Sequence, residues 1–155
     1  MGCIHLLFET CWKFITISRN LRIDMENLII EATKSSPSIR LDAQTRILEI
    51  AGESYPENAS NFYAPIFAWI DLFLNHSIST PVTVNITLRY FNSSSAKALM
   101  DLFDRLEKAH ADGTPITVNW RYHEENDSAM ECGEEFKEET QYITFNMVGF
   151  NDDDC

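Results

Sequence analysis

The 155-residue chain is predicted to form a single α/β domain, a sandwich with a mixed β-sheet and helices mainly on one face. Three observations predict this fold. Segments with an apolar period of two alternate with segments of helical period, in the order β, β-hairpin, α, β, α, β, α, β. Strand–helix–strand units demand right-handed crossovers, hence a partly parallel sheet. The strands alternate apolar with polar residues, whereas a sheet covered on both faces carries continuous apolar strands. One face is therefore expected to stay polar and open to a partner. A hydrophobic content of 45% over this length can bury one core, and five glycines and five prolines are too few for linkers or disorder.

Residues 1–24 differ from the rest of the chain. Leu6, Leu7, Phe8, Trp12, Phe14, Ile15 and Ile17 make the stretch apolar, but Glu9 and Lys13 interrupt it, and no positive region precedes it. It fits neither a signal peptide nor an uninterrupted membrane span. Met1-Gly2-Cys3 opens like a lipidation signal, yet Leu6 stands where a myristoylation motif needs Ser or Thr. Met25 directly precedes a strand-like run. The stretch is expected to be a leader upstream of a native start at Met25; the alternative is an amphipathic helix docked on the domain.

Asn27–Ala32 has the composition of a short strand. Ser38–Asp42 and Arg46–Ile50 flank Ala43-Gln44-Thr45 as a hairpin, with Gly52 expected to end it. Pro56 suits the first turn of a helix. Tyr63, Ile66, Phe67, Ile70, Phe73 and Leu74 then form a broad helical stripe that belongs to the core. Pro65 inside it predicts a kink or a fresh helix start.

In the central stretch, Val82, Val84, Ile86, Leu88 and Tyr90 point one way, and Thr83, Asn85, Thr87 and Arg89 the other. From Ala96 the spacing changes to Ala96, Leu99, Met100, Phe103 and Leu106, predicting a helix over 94–111. Asn92 and the serines Ser93, Ser94 and Ser95 lie at the junction. A hydroxyl here can cap the free amides of the opening helix. The same amides and the helix dipole also favour an anion, so a serine here can equally be a phosphate acceptor. Capping is the commoner role.

Asp112-Gly113 closes the helix, and Pro115 precedes a strand in which Ile116, Val118, Trp120 and Tyr122 alternate with Thr117, Asn119 and Arg121. The acidic stretch 125–139 is predicted as a short helix broken near Gly133. Tyr142–Val148 reads as the last strand, with Ile143, Phe145 and Met147 on its apolar side, and residues 151–155 as an acidic tail.

The formal charge of −12 disfavours nucleic acid and anionic membranes, because phosphate contacts need clustered Lys and Arg. Cys3, Cys11, Cys132 and Cys155 show neither a C-x-x-C pair nor a companion His spacing. Reduced thiols in a cytoplasmic protein are expected, with no metal site and no cofactor. The chain has no Gly-rich phosphate loop, no H-E-x-x-H and no G-x-S-x-G. His5, His76, His110 and His123 are scattered. Glu134 and Glu135 are sequence neighbours and diverge by about 100° on a helix, so they make a solvated face rather than an acid–base pair. No catalytic residue is assigned.

Five segments carry a family resemblance: Gly52-Glu-Ser-Tyr-Pro-Glu-Asn58, Tyr90-Phe-Asn-Ser-Ser-Ser-Ala-Lys97, Leu106-Glu-Lys-Ala-His110, Val118-Asn-Trp-Arg-Tyr122 and Gly133-Glu-Glu-Phe136. Together they resemble the SiaC family of bacterial regulatory phosphoproteins, from about Met25 to about Phe150, so that 25–150 would be the regulatory domain. The resemblance implies a fold like that of anti-sigma-factor antagonists, the STAS type, and no catalysis by this chain. It further implies phosphorylation by a partner kinase directly after the Asn of a Y-x-N-[ST]-S-S motif, and removal of the phosphate by a PP2C-like phosphatase. The unmodified form would bind and activate a diguanylate cyclase, raising cyclic di-GMP and promoting biofilm. Carried onto this chain, the acceptor is Ser93. The family's best-known member has threonine there, so Ser94 and Ser95 enter as competing acceptors or as the helix caps. The rival expectation is an unmodified adaptor, or a partner-switching protein of the anti-sigma-antagonist type, that uses the open sheet face.

Overall fold

The structure, a computed structural model, describes residues 24–76 and 79–154. The expected leader other than Asp24, together with Cys3, Cys11, Cys155 and His5, lies outside the described residues. Strands β1 (Leu28–Ile30), β2 (Ser38–Asp42) and β3 (Ile47–Ser54) lead into α1 (Ala59–Asn75). Then come β4 (Val82–Phe91), α2 (Ser93–Ala111), β5 (Ile116–His123), α3 (Asp127–Glu139) and β6 (Thr144–Phe150). The sheet order is the sequence order, β1-β2-β3-β4-β5-β6. Pairings among β1, β2 and β3 are antiparallel, and those from β3 to β6 are parallel. The mixed sheet is as expected. Three crossovers step the same way across β3–β6, and with the right-handed turn usual for such units all three helices fall on one face.

Burial agrees with that geometry. Val82, Val84, Ile86 and Leu88 are buried, as are Ile116, Val118 and Trp120 beside them, and they share one core with Ile66, Ile70, Phe73, Leu99 and Phe103. On the other face the register aligns Thr83 with Thr117 and Thr144, and Asn85 with Asn119 and Asn146. The asparagines form a ladder: Asn119 Nδ2 donates to Asn85 Oδ1 at 2.9 Å, and Asn146 Nδ2 to Asn119 Oδ1 at 3.0 Å. This face carries no helix among the described residues.

Several local expectations fail for physical reasons. Gly52 does not end the hairpin; β3 continues to Ser54, with Gly52 at φ +116°. There the β3–β4 register slips, because Gly52 pairs with Leu88 and Glu53 with Tyr90, leaving Arg89 as the extra residue of a bulge. The bulge inverts the phase of β4. Tyr90, expected inward, is 55% exposed, and Phe91 turns to the core, its ring 5.9 Å from that of Trp120.

Pro56 lies ahead of α1, which starts at Ala59 behind the cap Asn58, whose side chain accepts from Asn61 N–H. Pro65 starts no new helix; it sits inside α1. The carbonyl it leaves without a helical donor is that of Asn61, and both residues are exposed, so water can supply the bond. Nor does Gly133 break α3. A Cβ there would stand 2.4 Å from Trp120 Cδ1, so the glycine lets the helix lie against the indole. Residues 152–154 of the acidic tail are exposed and form a 3₁₀ turn, with the Asp152 carboxylate 3.3 Å from His123 Nε2.

Candidate functional site

The β4–α2 junction lies at the carboxyl end of the parallel strands, where α/β sheets commonly place their binding sites. Two stretches that are distant in sequence meet there. Ser54 pairs with Phe91, and Asn92 N–H donates to the Ser54 carbonyl at 3.0 Å. The rings of Tyr55 and Tyr90 meet edge to face at 5.6 Å beside them.

Helix α2 opens with Asn92 as N-cap, its Oδ1 accepting from Ser95 N–H at 2.9 Å while its carbonyl accepts from Ala96 N–H. The cap is thus Asn92, and the expectation that Ser94 or Ser95 caps the helix is corrected. The helix starts at Ser93, one residue earlier than the spacing predicts, so the asparagine is the residue that reaches the third amide. The three serines then diverge by about 100° each. Ser93, the first helical residue, is exposed. Ser94 is exposed too and lines an open groove of about 770 Å³ between α1 and α2, facing Glu57, Tyr63 and Phe67. Ser95 is fully buried.

Inside the junction the hydroxyls are paired. Ser54 Oγ donates to Ser95 Oγ at 2.8 Å and lies 2.7 Å from Tyr63 Oη. A hydroxyl has one proton, so the tyrosine donates to Ser54. Burial pushes the Tyr63 phenol above its ordinary range, opposed by hydrogen bonds with Ser54 and Ser95. Ser54 and Tyr63 were not assigned as site residues; Tyr63 falls on the core stripe, and Ser54 lies in a segment that carries the family resemblance but has no role given to it there.

The described histidines serve local structure. His110 Nδ1 accepts from Ile116 N–H at 3.2 Å, His123 Nδ1 from Glu125 N–H at 3.2 Å, and His76 Nδ1 lies 2.7 Å from the Leu72 carbonyl. Glu134 and Glu135 are exposed on α3. Cys132 is a free thiol pushed up by burial and by the Glu135 and Glu131 carboxylates. Among the described residues no group of three or more His, Cys, Asp or Glu is arranged to hold a metal ion, and no helix is long and apolar enough to cross a membrane.

Residues 30–150 match the family described as SiaC family regulatory phosphoprotein. The chain belongs to the SiaC family. An uncharacterized protein of Pseudomonas aeruginosa strain UCBPP-PA14 is 37% identical over 118 residues, covering 76% of this chain and 93% of its own. The solved structure of apo-SiaC from Pseudomonas aeruginosa superposes with a TM-score of 0.72 at 35% identity, over 80% of this chain and 99% of that one. SiaC of the same organism, solved in complex with the diguanylate cyclase SiaD that it activates, superposes with a TM-score of 0.75 at 36% identity, over 79% and 99%. The mixed sheet with its three helices is therefore the SiaC fold. The five segments that carry the SiaC resemblance divide in two. Gly52–Asn58 and Tyr90–Lys97 build the junction, while the other three hold the scaffold. In the scaffold group Glu107 accepts the amides of Gln141 and Tyr142, and Trp120 packs on Gly133 and Phe136.

Proposed function

We propose that this protein is a non-catalytic, cytoplasmic signalling phosphoprotein that works by partner switching. Its unphosphorylated form binds and activates a diguanylate cyclase; a protein kinase phosphorylates Ser93, and a PP2C-like phosphatase reverses the step. The observation that carries this reading is the 36% identity, over 79% of this chain and 99% of that one, to a SiaC crystallised on the cyclase it activates. The geometry of the junction supports the choice of Ser93. Asn92 does the capping, which leaves the Ser93 hydroxyl outside and the first-turn amides beside it. A phosphate at this point meets the positive end of the helix dipole and needs no refolding.

A partner that covers the junction meets a hydroxyl in one state and a dianion in the other. Burying that charge without a counter-ion costs about 3 kcal/mol or more, over a hundredfold in affinity. The test is calorimetric affinity for the cyclase, with cyclic di-GMP output, for wild type, Ser93→Ala, Ser93→Asp and the phosphorylated protein. Ser93→Ala should bind and activate as wild type does. Ser93→Asp should bind less well, and the phosphoprotein least. Equal affinity for all four, or a phosphate found only on Ser94 or Ser95, would remove Ser93 from this role.

The helix-free sheet face favours a second reading, an adaptor that needs no modification, because Ile29, Ile47 and Val148 are exposed there. Asn119→Arg, in the middle of the asparagine ladder, separates the two. Loss of cyclase binding in that variant with no effect of Ser93 phosphorylation would favour the adaptor.

A further inference from the structure

The three serines of the junction differ in what their oxygens do, and the difference is built by residues outside the triplet. Asn92 N–H donates to the Ser54 carbonyl, Ser54 Oγ donates to Ser95 Oγ, and Ser95 N–H donates to Asn92 Oδ1. These bonds close a ring between the end of β3 and the start of α2. Tyr63 of α1 joins it through its hydroxyl, 2.7 Å from Ser54 Oγ. Ser54 and Ser95 have no exposed surface, and Tyr63 has almost none. Among the described residues no buried side-chain nitrogen or oxygen lacks a partner, so the ring is fully satisfied.

We propose that this ring selects the phosphate acceptor within the serine triplet, by locking Ser95 inward and presenting Ser93. The inference rests on the triplet being the modified segment, as argued above. Phosphoryl transfer requires the serine oxygen to attack the terminal phosphorus of a nucleoside triphosphate in line. The O–P bond to serine forms, the bond to the diphosphate leaving group breaks, and the hydroxyl proton passes to a base on the kinase. An acceptor oxygen must therefore have a free lone pair and open space on the attack side. Ser95 Oγ has no open space on any side, and one of its lone pairs is taken by the Ser54 proton inside the core. Ser93 is presented because the ring fixes the helix start at that residue. Were the first turn to unwind, Ser95 would lose its amide cap and its Ser54 partner together, and all three hydroxyls would become alike. Ser54 and Tyr63 are thus positioning residues, acting on the acceptor choice through Ser95.

The test uses full-length protein isolated from its own cells, with phosphosites mapped by mass spectrometry, beside amide exchange of residues 93–96 in the unphosphorylated protein. Wild type should carry phosphate on Ser93 and none on Ser95. Ser54→Ala and Tyr63→Phe should acquire phosphate on Ser95. Their Ser95 amide should exchange about fivefold faster, the worth of about one hydrogen bond, with the mid-helix Leu99 amide unchanged. Ser54→Thr, which keeps the hydroxyl, should restore the wild-type pattern, and adding Ser95→Ala to Ser54→Ala should abolish the new phosphate. Tyr63→Phe retains the ring that fills the core and so tests the idea even if Ser54→Ala folds poorly. Wild-type site use and unchanged Ser95 exchange in both variants would overturn the proposal, as would Ser95 phosphate in wild type. Wild-type phosphate on Ser94 alone would instead overturn the Ser93 assignment, and the same two variants would still decide whether the ring withholds Ser95.

Discussion

Gly133→Ala puts the packing of α3 to a direct test, because two effects of opposite sign compete there. Replacing glycine in a helix interior ordinarily stabilises by about 1 kcal/mol, through the entropy that glycine loses on folding. Here the added methyl would lie 2.4 Å from Trp120 Cδ1, 2.6 Å from Nε1 and 2.8 Å from the Met147 methyl. Ordinary contact needs about 3.4 Å or more, so the indole must retreat by about 1 Å. It has nowhere to go: Trp120 is fully buried, and its Nε1 donates to the Ala129 carbonyl at 2.9 Å. Overpacking costs about 1–3 kcal/mol, and losing the buried indole bond adds about 1–3 kcal/mol. Against the helix gain, the net is a destabilisation of about 1–5 kcal/mol. For a chain of this size that lowers the melting temperature by roughly 2–20 °C. Urea unfolding followed by tryptophan fluorescence measures it, and Trp120→Phe in the same background should relieve part of the cost. A Gly133→Ala protein as stable as wild type, or more so, would refute the close-approach account and return Gly133 to a mere helix weakness.

The sheet and its hairpin supply two further tests. Leu88→Ala should cost about 2–5 kcal/mol in chemical unfolding, since Leu88 is buried on the helix-covered face, and Thr87→Ala on the open face far less; equal costs would contradict the one-faced architecture. Asp42 accepts the amides of Thr45 and Gln44 in the β2–β3 turn, and the Thr45 bond first, then the Gln44 bond against some desolvation, holds its carboxyl below the usual 3.8. A lowered folded pKa means the ionised turn is favoured by folding. Its contribution should be complete above pH 3.8 and vanish as pH falls through the lowered value, so the acid limb of stability should flatten in Asp42→Asn. An unchanged acid limb in that variant would show the turn bonds to be immaterial.

The sequence was most informative where one face of an element is buried by simple alternation. Val82 to Leu88 and Ile116 to Trp120 show which side faces the helices, and Asp112-Gly113 marks the end of α2, with Gly113 at φ +111°. It was least informative where a residue's role depends on a neighbour far along the chain. Gly133 looks like a helix breaker until Trp120, thirteen positions away, is seen against it. Tyr90 continues a faultless alternation, but a bulge at Arg89 is a property of the β3–β4 pair and not of either strand alone. Ser54 lies in a segment that carries the resemblance, but its role could not be read there, because its hydroxyl acts on Ser95, forty-one positions on. Ser93 is singled out from its neighbours only by the resemblance to the SiaC family, and Ser94 and Ser95 are not the caps they were expected to be because local spacing could not say which polar side chain would reach the third amide.

These same long-range contacts explain how a charge could be added at Ser93 without disturbing the fold. The bulge at Arg89 brings Phe91 inward, where its ring lies 6.0 Å from that of Phe136. That anchors the last residue of β4 immediately before the cap. Asn92 is held by its own amide to Ser54 and by its side chain to Ser95. Phe91, Asn92 and Ser95 are therefore held by contacts that the Ser93 hydroxyl does not share. A phosphate placed there breaks no bond of the framework, and its effect is confined to what meets the junction from outside. Tyr90 and Tyr55 stand next to it as a paired aromatic surface, with Tyr90 pushed outward by the bulge. The irregularity in β4 thus does two things: it seals the core beneath the β4–α2 junction, and it sets an aromatic contact beside Ser93, the proposed acceptor.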